Sequence, residues 1–175
     1  MSEIPCYDSR MEFISNSPED TKRFAKDFLA WLSAKSGDRA TVVGLYGNLG
    51  SGKTTFTQYV AGILEVEEHL TSPTFVIMKR FKIKPARTER SPFGTGGDLR
   101  FKNLIHADCY RLKNSDELRR LGFEELLREP KSLILIEWAE HVADILPLDH
   151  LKLSFEFIDD KTRKISFYSP WHSPI

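Results

Sequence analysis

Thr41-Val42-Val43-Gly44-Leu45-Tyr46 runs without a break into Gly47-Asn48-Leu49-Gly50-Ser51-Gly52-Lys53-Thr54, and this stretch decides how the chain is read. The first part is mostly apolar and rich in β-formers, the composition of a short strand buried on both faces. The second part matches G-x-x-x-x-G-K-[S/T] in full, between a predicted strand and a helix predicted over Lys53 to Leu64. Glycines let the backbone curl until successive N–H groups converge on phosphate oxygens. The helix that begins there adds partial positive charge at its N-terminus. Lys53 offers a compact cation to β- and γ-phosphates, and the Thr54 hydroxyl can ligate Mg²⁺. The bland alternative is a glycine-rich turn that matches by accident, and the flanking strand and helix argue against it.

Working outward, Ser17-Pro18-Glu19-Asp20 reads as a helix start, with Ser17 as N-cap, Pro18 at the first helical position and an acid at the third. Phe24, Ala25, Phe28, Leu29 and Leu32 follow with helical spacing, and Gly37 is expected to close that helix. On the other side, Phe75 to Phe81 reads as a second strand and Leu104 to His106 begins a third. Ser115 is expected to cap a helix that breaks near Gly122 and resumes through Leu127. Leu133-Ile134-Leu135-Ile136 is the strongest strand signal in the chain. His150 to Phe157 and Arg163 to Tyr168 read as two final strands. Leu151, Leu153, Phe155 and Phe157 alternate with more polar residues, the mark of a half-solvated antiparallel pair. Alternating helices and strands predict one α/β domain over residues 1–175. Its sheet is expected to be mostly parallel at the centre, with antiparallel C-terminal strands and helices on both faces.

The composition bounds the function. A chain of 175 residues suits a single domain and buries about 70% of the surface its unfolded form exposes. Lys and Arg total 25, as do Asp and Glu, so the net charge is zero and offers no whole-surface attraction for nucleic acid. Two cysteines, Cys6 and Cys109, form no C-x-x-C pair and point away from a cysteine zinc site or a disulfide scaffold. No apolar run is long enough to span a bilayer, and Met1 to Asp8 has neither the basic nor the apolar stretch of a signal peptide. The expectation is a cytoplasmic protein without membrane contact.

A phosphate loop needs acids for metal and water. Two positions qualify: Glu137, which ends the strand Leu133 to Ile136, and Asp108, which follows Leu104-Ile105-His106-Ala107. Both are expected to point into the cleft at the carboxyl ends of the strands. His106 reads as a satisfied interior histidine rather than a catalyst, and Trp138 as a partly buried packing aromatic. Thr71-Ser72-Pro73-Thr74 is a polar turn whose hydroxyls suit a γ-phosphate sensor. The guanine-selective strings N-K-x-D and D-x-x-G are absent, since Lys113-Asn114-Ser115-Asp116 has the wrong order, which leaves adenine favoured. Lys84 to Leu99, rich in Pro, Gly, Ser and Thr, reads as an irregular loop. Between Lys79 and Lys102 eight basic residues face only Glu89 and Asp98. That surplus suits a solvated loop or a contact for RNA or an acidic partner.

Together these motifs resemble the TsaE family, the bacterial ATPase subunits of tRNA threonylcarbamoyladenosine biosynthesis. The resemblance lies in Leu45-Tyr46-Gly47 through Thr54-Thr55-Phe56, then Ser72-Pro73-Thr74-Phe75, then His106-Ala107-Asp108-Cys109-Tyr110-Arg111-Leu112, then Ile136-Glu137-Trp138. The phosphate loop alone is generic, and the four motifs in this order are specific. They run from about Phe13 to Tyr168. The resemblance implies binding and slow hydrolysis of ATP with Mg²⁺. It also implies a complex with TsaD and TsaB proteins and, through that complex, an indirect relation to tRNA. By motif, Gly47, Asn48, Leu49, Gly50, Ser51, Gly52, Lys53, Thr54 and Thr55 hold the nucleotide. Thr54 and Glu137 hold the metal, and Asp108 lies by the γ-phosphate and orients water. Lys53, Asp108 and Glu137 are thus the catalytic candidates. Arg163 is a further nucleotide contact, with a solvent-facing arginine as its rival reading, and Ile14 to Thr21 are candidates for the adenine side. The spacing between Phe75 and His106 exceeds what the family pattern needs, and the basic loop is the surplus.

Two other functions compete. A small-molecule kinase shares the phosphate loop but needs an acceptor pocket and a lid arginine. Arg119, Arg120 and Arg128 lie beside Glu124 and Glu125, where surface pairing is the simpler account. A nucleotide-gated module that only changes shape is the third.

Overall fold

A computed structural model describes residues 10–35, 37–66, 77–84 and 100–170. Seven strands form one sheet in the order β1-β7-β6-β2-β5-β4-β3. They are β1 (Arg10–Ser15), β2 (Thr41–Tyr46), β3 (Met78–Lys82), β4 (Asn103–Asp108), β5 (Ser132–Glu137), β6 (Leu151–Phe157) and β7 (Arg163–Tyr168). The four central strands β6, β2, β5 and β4 are parallel, and β1, β7 and β3 are antiparallel to their neighbours. The expected mixed α/β sheet is therefore present, with antiparallel pairing at both ends rather than the C-terminal end alone.

Side-chain alternation along the strands builds two cores. Val43, Leu45, Leu104, Leu133 and Leu135 face α1 (Pro18–Ser33) and α2 (Lys53–Ile63). Val42, Ile105, Ala107, Ile134 and Ile136 face the opposite layer, made by α3 (Asp116–Arg120), α4 (Phe123–Leu126) and a 3₁₀ segment over Ala139–Ile145. Phe24, Phe28 and Phe56 pack with ring centres about 6 Å apart between α1 and α2 and fasten both helices to the first face. The chain leaves β2 towards the first face and leaves β5 towards the second. The crevice between these neighbours, at their carboxyl ends, is a topological switch point, where open α/β sheets place ligands.

The helix boundaries follow the sequence in part. Ser17 caps α1 by accepting the Asp20 N–H at 3.1 Å, with Pro18 in the first turn. Gly37 does not close that helix. It ends at Ser33 with Ala34 still in right-handed geometry, and the Arg100 guanidinium donates to the Lys35 carbonyl just beyond. Ser115 precedes α3 without capping it, because its hydroxyl donates to Asp144 instead. Gly122, at φ 82°, does break α3 from α4. The strand expected from Phe75 begins, among the described residues, at Met78. β1 and the 3₁₀ segment were not foreseen. Ser72-Pro73-Thr74-Phe75 and residues 85–99 of the basic loop lie outside the described residues.

Candidate functional site

The loop from Gly47 to Gly52 joins β2 to α2 and curls through three glycines of positive φ, at 131° for Gly47, 76° for Gly50 and 106° for Gly52. At Gly47 the need is steric as well. A Cβ there would lie 2.2 Å from the Phe155 carbonyl oxygen, which belongs to the neighbouring backbone of β6. Gly47→Ala is therefore expected to lower the unfolding free energy by about 2–4 kcal/mol, read from denaturant unfolding; an unmoved midpoint would contradict the tight approach. Gly52 is the N-cap of α2 and has no side chain to cap it, which leaves the first N–H groups of the helix without a side-chain acceptor.

Lys53 is buried, only 4% exposed, in the hollow of this loop. Its ammonium donates to the Gly47 carbonyl at 2.6 Å and the Asn48 carbonyl at 3.0 Å, and it sits 3.9 Å from the centre of the Trp138 ring. Burial pulls its pKa below the usual lysine range, opposed by the negative charges of Glu137, Glu140 and Asp108. Trp138 reaches this position through left-handed backbone, φ 58° and ψ 45°, an uncommon conformation for so bulky a residue. Strain of this kind is found where surrounding structure holds a site in place. Tyr110 packs on its ring at 4.8 Å between centroids.

One residue further along, the Thr54 hydroxyl donates to Glu137 Oε2 at 2.6 Å. Glu137 lies at the end of β5, directly across from Leu45 of β2, and is 2% exposed. Its other oxygen, Oε1, faces His106 Nε2 at 2.9 Å. His106 is interior and satisfied, as expected. Its partner is the finding. In the H-x-D spacing of β4, His106 and Asp108 share a sheet face, the only sign in the sequence that the histidine faces α2.

Ser15, Asn16, Ser17, Pro18 and Thr21 form one side of a cleft of about 570 Å³. The loop and helix residues Leu49 to Thr55, with Glu137 and Trp138, form another. Phe155, Asp160, Lys161, Arg163 and Ile165 of the β6–β7 hairpin close it. Arg163 thus lines the cleft, with its guanidinium donating to the Asp159 and Thr162 carbonyls and lying over the Phe157 ring. Asp108 sits in register beside Glu137 but is not among the residues lining this cleft, and its carboxylate accepts the Tyr110 N–H at 3.0 Å. Five of the eight residues from Ile14 to Thr21 reach the cleft, along with the hairpin tip residues Asp160 and Lys161. Lys161 and Asp160 carried no sequence signal, because only the β6–β7 pairing brings that tip to the loop.

The residues suit a phosphate chain and a hard cation. The Ser51 hydroxyl is buried within the loop with no hydrogen-bond partner, a polar atom that lacks an acceptor or donor. Thr54 and Glu137 present two oxygen ligands side by side. Among the described residues no group of three or more His, Cys, Asp or Glu gathers as a metal site. Two oxygen atoms side by side suit a hard cation that fills the rest of its shell with water or phosphate oxygens.

The family description "Threonylcarbamoyl adenosine biosynthesis protein TsaE" matches residues 15–165. This chain belongs to the TsaE family. A TsaE of Rickettsia bellii, called a tRNA threonylcarbamoyladenosine biosynthesis protein, is 34% identical over 86% of this chain and 89% of its own. The Bacillus subtilis TsaE is 35% identical over 86% of this chain and 80% of its own. The crystal structure of B. subtilis YdiB superposes with a TM-score of 0.62 at 28% identity, covering 91% of this chain and 85% of that one. The TsaE match begins at Ser15 on the cleft's rim and ends at Ile165 on its far wall, so all the cleft residues named above fall within it. Among the described residues of this TsaE-family chain, no helix is long and apolar enough to cross a membrane.

Proposed function

We propose that the chain binds ATP with Mg²⁺ in this cleft, hydrolyses it slowly, and serves tRNA threonylcarbamoyladenosine formation in a complex with TsaD and TsaB proteins. The observation that carries the ATPase reading is the Thr54–Glu137 hydrogen bond. It joins the hydroxyl of the phosphate loop to a buried carboxylate at a strand end, the pair that phosphate-loop enzymes use around the metal. Thr54 and Glu137 would hold Mg²⁺, which when bound neutralises charge building on the transferred phosphoryl group. Lys53 leaves the Gly47 and Asn48 carbonyls for the β- and γ-oxygens. The α2 N-terminus and the loop N–H groups orient the phosphates, and Trp138 over Lys53 keeps water from that side. Asp108, beside Glu137 on β4, is the group we assign to orienting the attacking water. Chemistry of this kind rests on positioning and fixed charge, with no covalent nucleophile in the protein.

Arg163 is the only arginine among the described cleft residues, and both carbonyls of its own turn hold it. An arginine finger is worth roughly 10³–10⁵ in rate in related systems. The protein alone is therefore expected to turn over ATP slowly and to be accelerated by TsaD and TsaB. An ATPase assay of the purified chain, with and without the two proteins, checks this. Turnover by the chain alone at roughly 1–100 s⁻¹, the range of kinases, would contradict it. The kinase reading gains nothing from the structure of α3, because Arg119 is paired with Asp116 at 2.8 Å and lies 3.6 Å from Glu124.

A further inference from the structure

The pair formed by His106 and Glu137 lies beneath the phosphate loop, and the proposed chemistry leaves the histidine without a task. His106 is 1% exposed and Glu137 2%, so the contact between them is buried. A carboxylate oxygen only accepts, so His106 Nε2 carries a proton and donates it to Oε1. Oε2 is left to Thr54. The two donors come from different elements, β4 and α2, and approach Glu137 from opposite oxygens. A buried carboxylate held at one oxygen cannot rotate away from the other without orphaning a donor.

We propose that His106 is a positioning residue: it grips Glu137 Oε1 from inside the sheet so that Oε2 faces Thr54 and the cation that arrives with the nucleotide. The proposal rests on reading the cleft as an ATP and Mg²⁺ site, and it goes beyond that reading by assigning the metal's affinity in part to a residue the metal never touches. Partners of this kind orient metal ligands, and losing one typically costs 10–100-fold in metal affinity. Asp108, two residues along the same face, does not substitute, since its carboxylate is engaged with the Tyr110 N–H and can only accept. A histidine that merely filled the interior would be replaceable by leucine with no effect on metal dependence.

The test uses the full chain, ADP and a titration of Mg²⁺, with ADP affinity measured by calorimetry in excess chelator and at each metal concentration. His106→Leu is expected to raise the Mg²⁺ concentration needed for half of the affinity gain by roughly 10–100-fold. Metal-free ADP affinity should stay within about twofold, because the histidine does not line the cleft. His106→Gln, whose amide nitrogen can take the place of Nε2, should restore most of the metal response. Should the leucine variant fail to fold, His106→Asn decides: it stays polar but is too short to reach Oε1, so it should show the same loss. Combined with Glu137→Gln, that loss should shrink towards nothing, since both changes act through one carboxylate. Wild-type metal dependence in the leucine or asparagine variant, or additive losses in the double variant, overturns the proposal. Wild-type protein that binds no ADP at all removes the ATP-site reading with it, whereas intact Mg²⁺-dependent binding in every His106 variant removes this inference alone.

Discussion

Lys53→Ala is expected to lower ATP affinity by roughly 10–100-fold and to bring hydrolysis below detection, with little change in thermal stability. Hydrogen bonds to charged groups contribute about 1.5–3 kcal/mol, which sets the lower part of that loss at 10-fold or more. The stability side runs the other way from most buried-residue changes. Burial is the leading cause of the depressed Lys53 pKa, so the fold carries a cost for holding the ammonium there. Alanine relieves that cost, and the Gly47 and Asn48 carbonyls that lose their donor belong to a half-buried and an exposed residue of the loop, where water can take its place. Calorimetric ATP binding beside a thermal melt checks both halves. A variant that melts far below the parent and still binds ATP would mean that Lys53 is a structural strut rather than a phosphate ligand.

Glu137→Gln should separate chemistry from binding. The carboxamide keeps the shape of the side chain but offers one acceptor where two donors, His106 Nε2 and the Thr54 hydroxyl, now converge. Metal ligation weakens, and metal stabilisation of the transition state is a matter of several kcal/mol, so hydrolysis is expected to fall roughly 10²–10⁴-fold. ADP affinity in chelator should move only a few-fold. Glu137→Ala goes further, because it strands the buried His106 donor at about 1–3 kcal/mol while the part-buried Thr54 hydroxyl turns to water in the cleft, and its unfolding midpoint should drop accordingly. Single-turnover hydrolysis and chelator binding, run on both variants, discriminate an enzyme from a shape-changing nucleotide sensor. If Glu137→Gln hydrolysed ATP at the parental rate, Glu137 would have no place in the chemistry.

The phosphate loop was legible because its information is local. Glycine spacing, the lysine and the hydroxyl act within a single turn, and β2 and α2 flank them as the pattern requires. Leu133 to Ile136 was equally plain, since a run buried on both faces leaves no competing period. Among the features that were not legible, three share one reason: each involves a partner distant in the chain. β1 alternates Met11 and Phe13 inward with Glu12 and Ile14 outward, but over so few residues that the pattern gains meaning only against β7. α1 ends at Ser33, short of Gly37, and Arg100, far along the chain, donates to the Lys35 carbonyl just beyond it. The His106–Glu137 contact crosses strands whose relative register the sequence does not state. His106 pairs across from Leu135, so the contact with Glu137 runs along a diagonal of the sheet. Trp138 reads as a packing aromatic, and it does pack, yet its left-handed backbone and the ammonium beneath its ring depend on tertiary contacts that the sequence does not state.

The edge strand β1 spans Arg10–Ser15, whereas the match to the TsaE family description begins at Ser15. The matched region therefore starts on the last residue of that strand. A gene trimmed to the homologous region would discard the strand that leads into Ser15, Asn16 and Ser17, and with it the support for one wall of the nucleotide's seat.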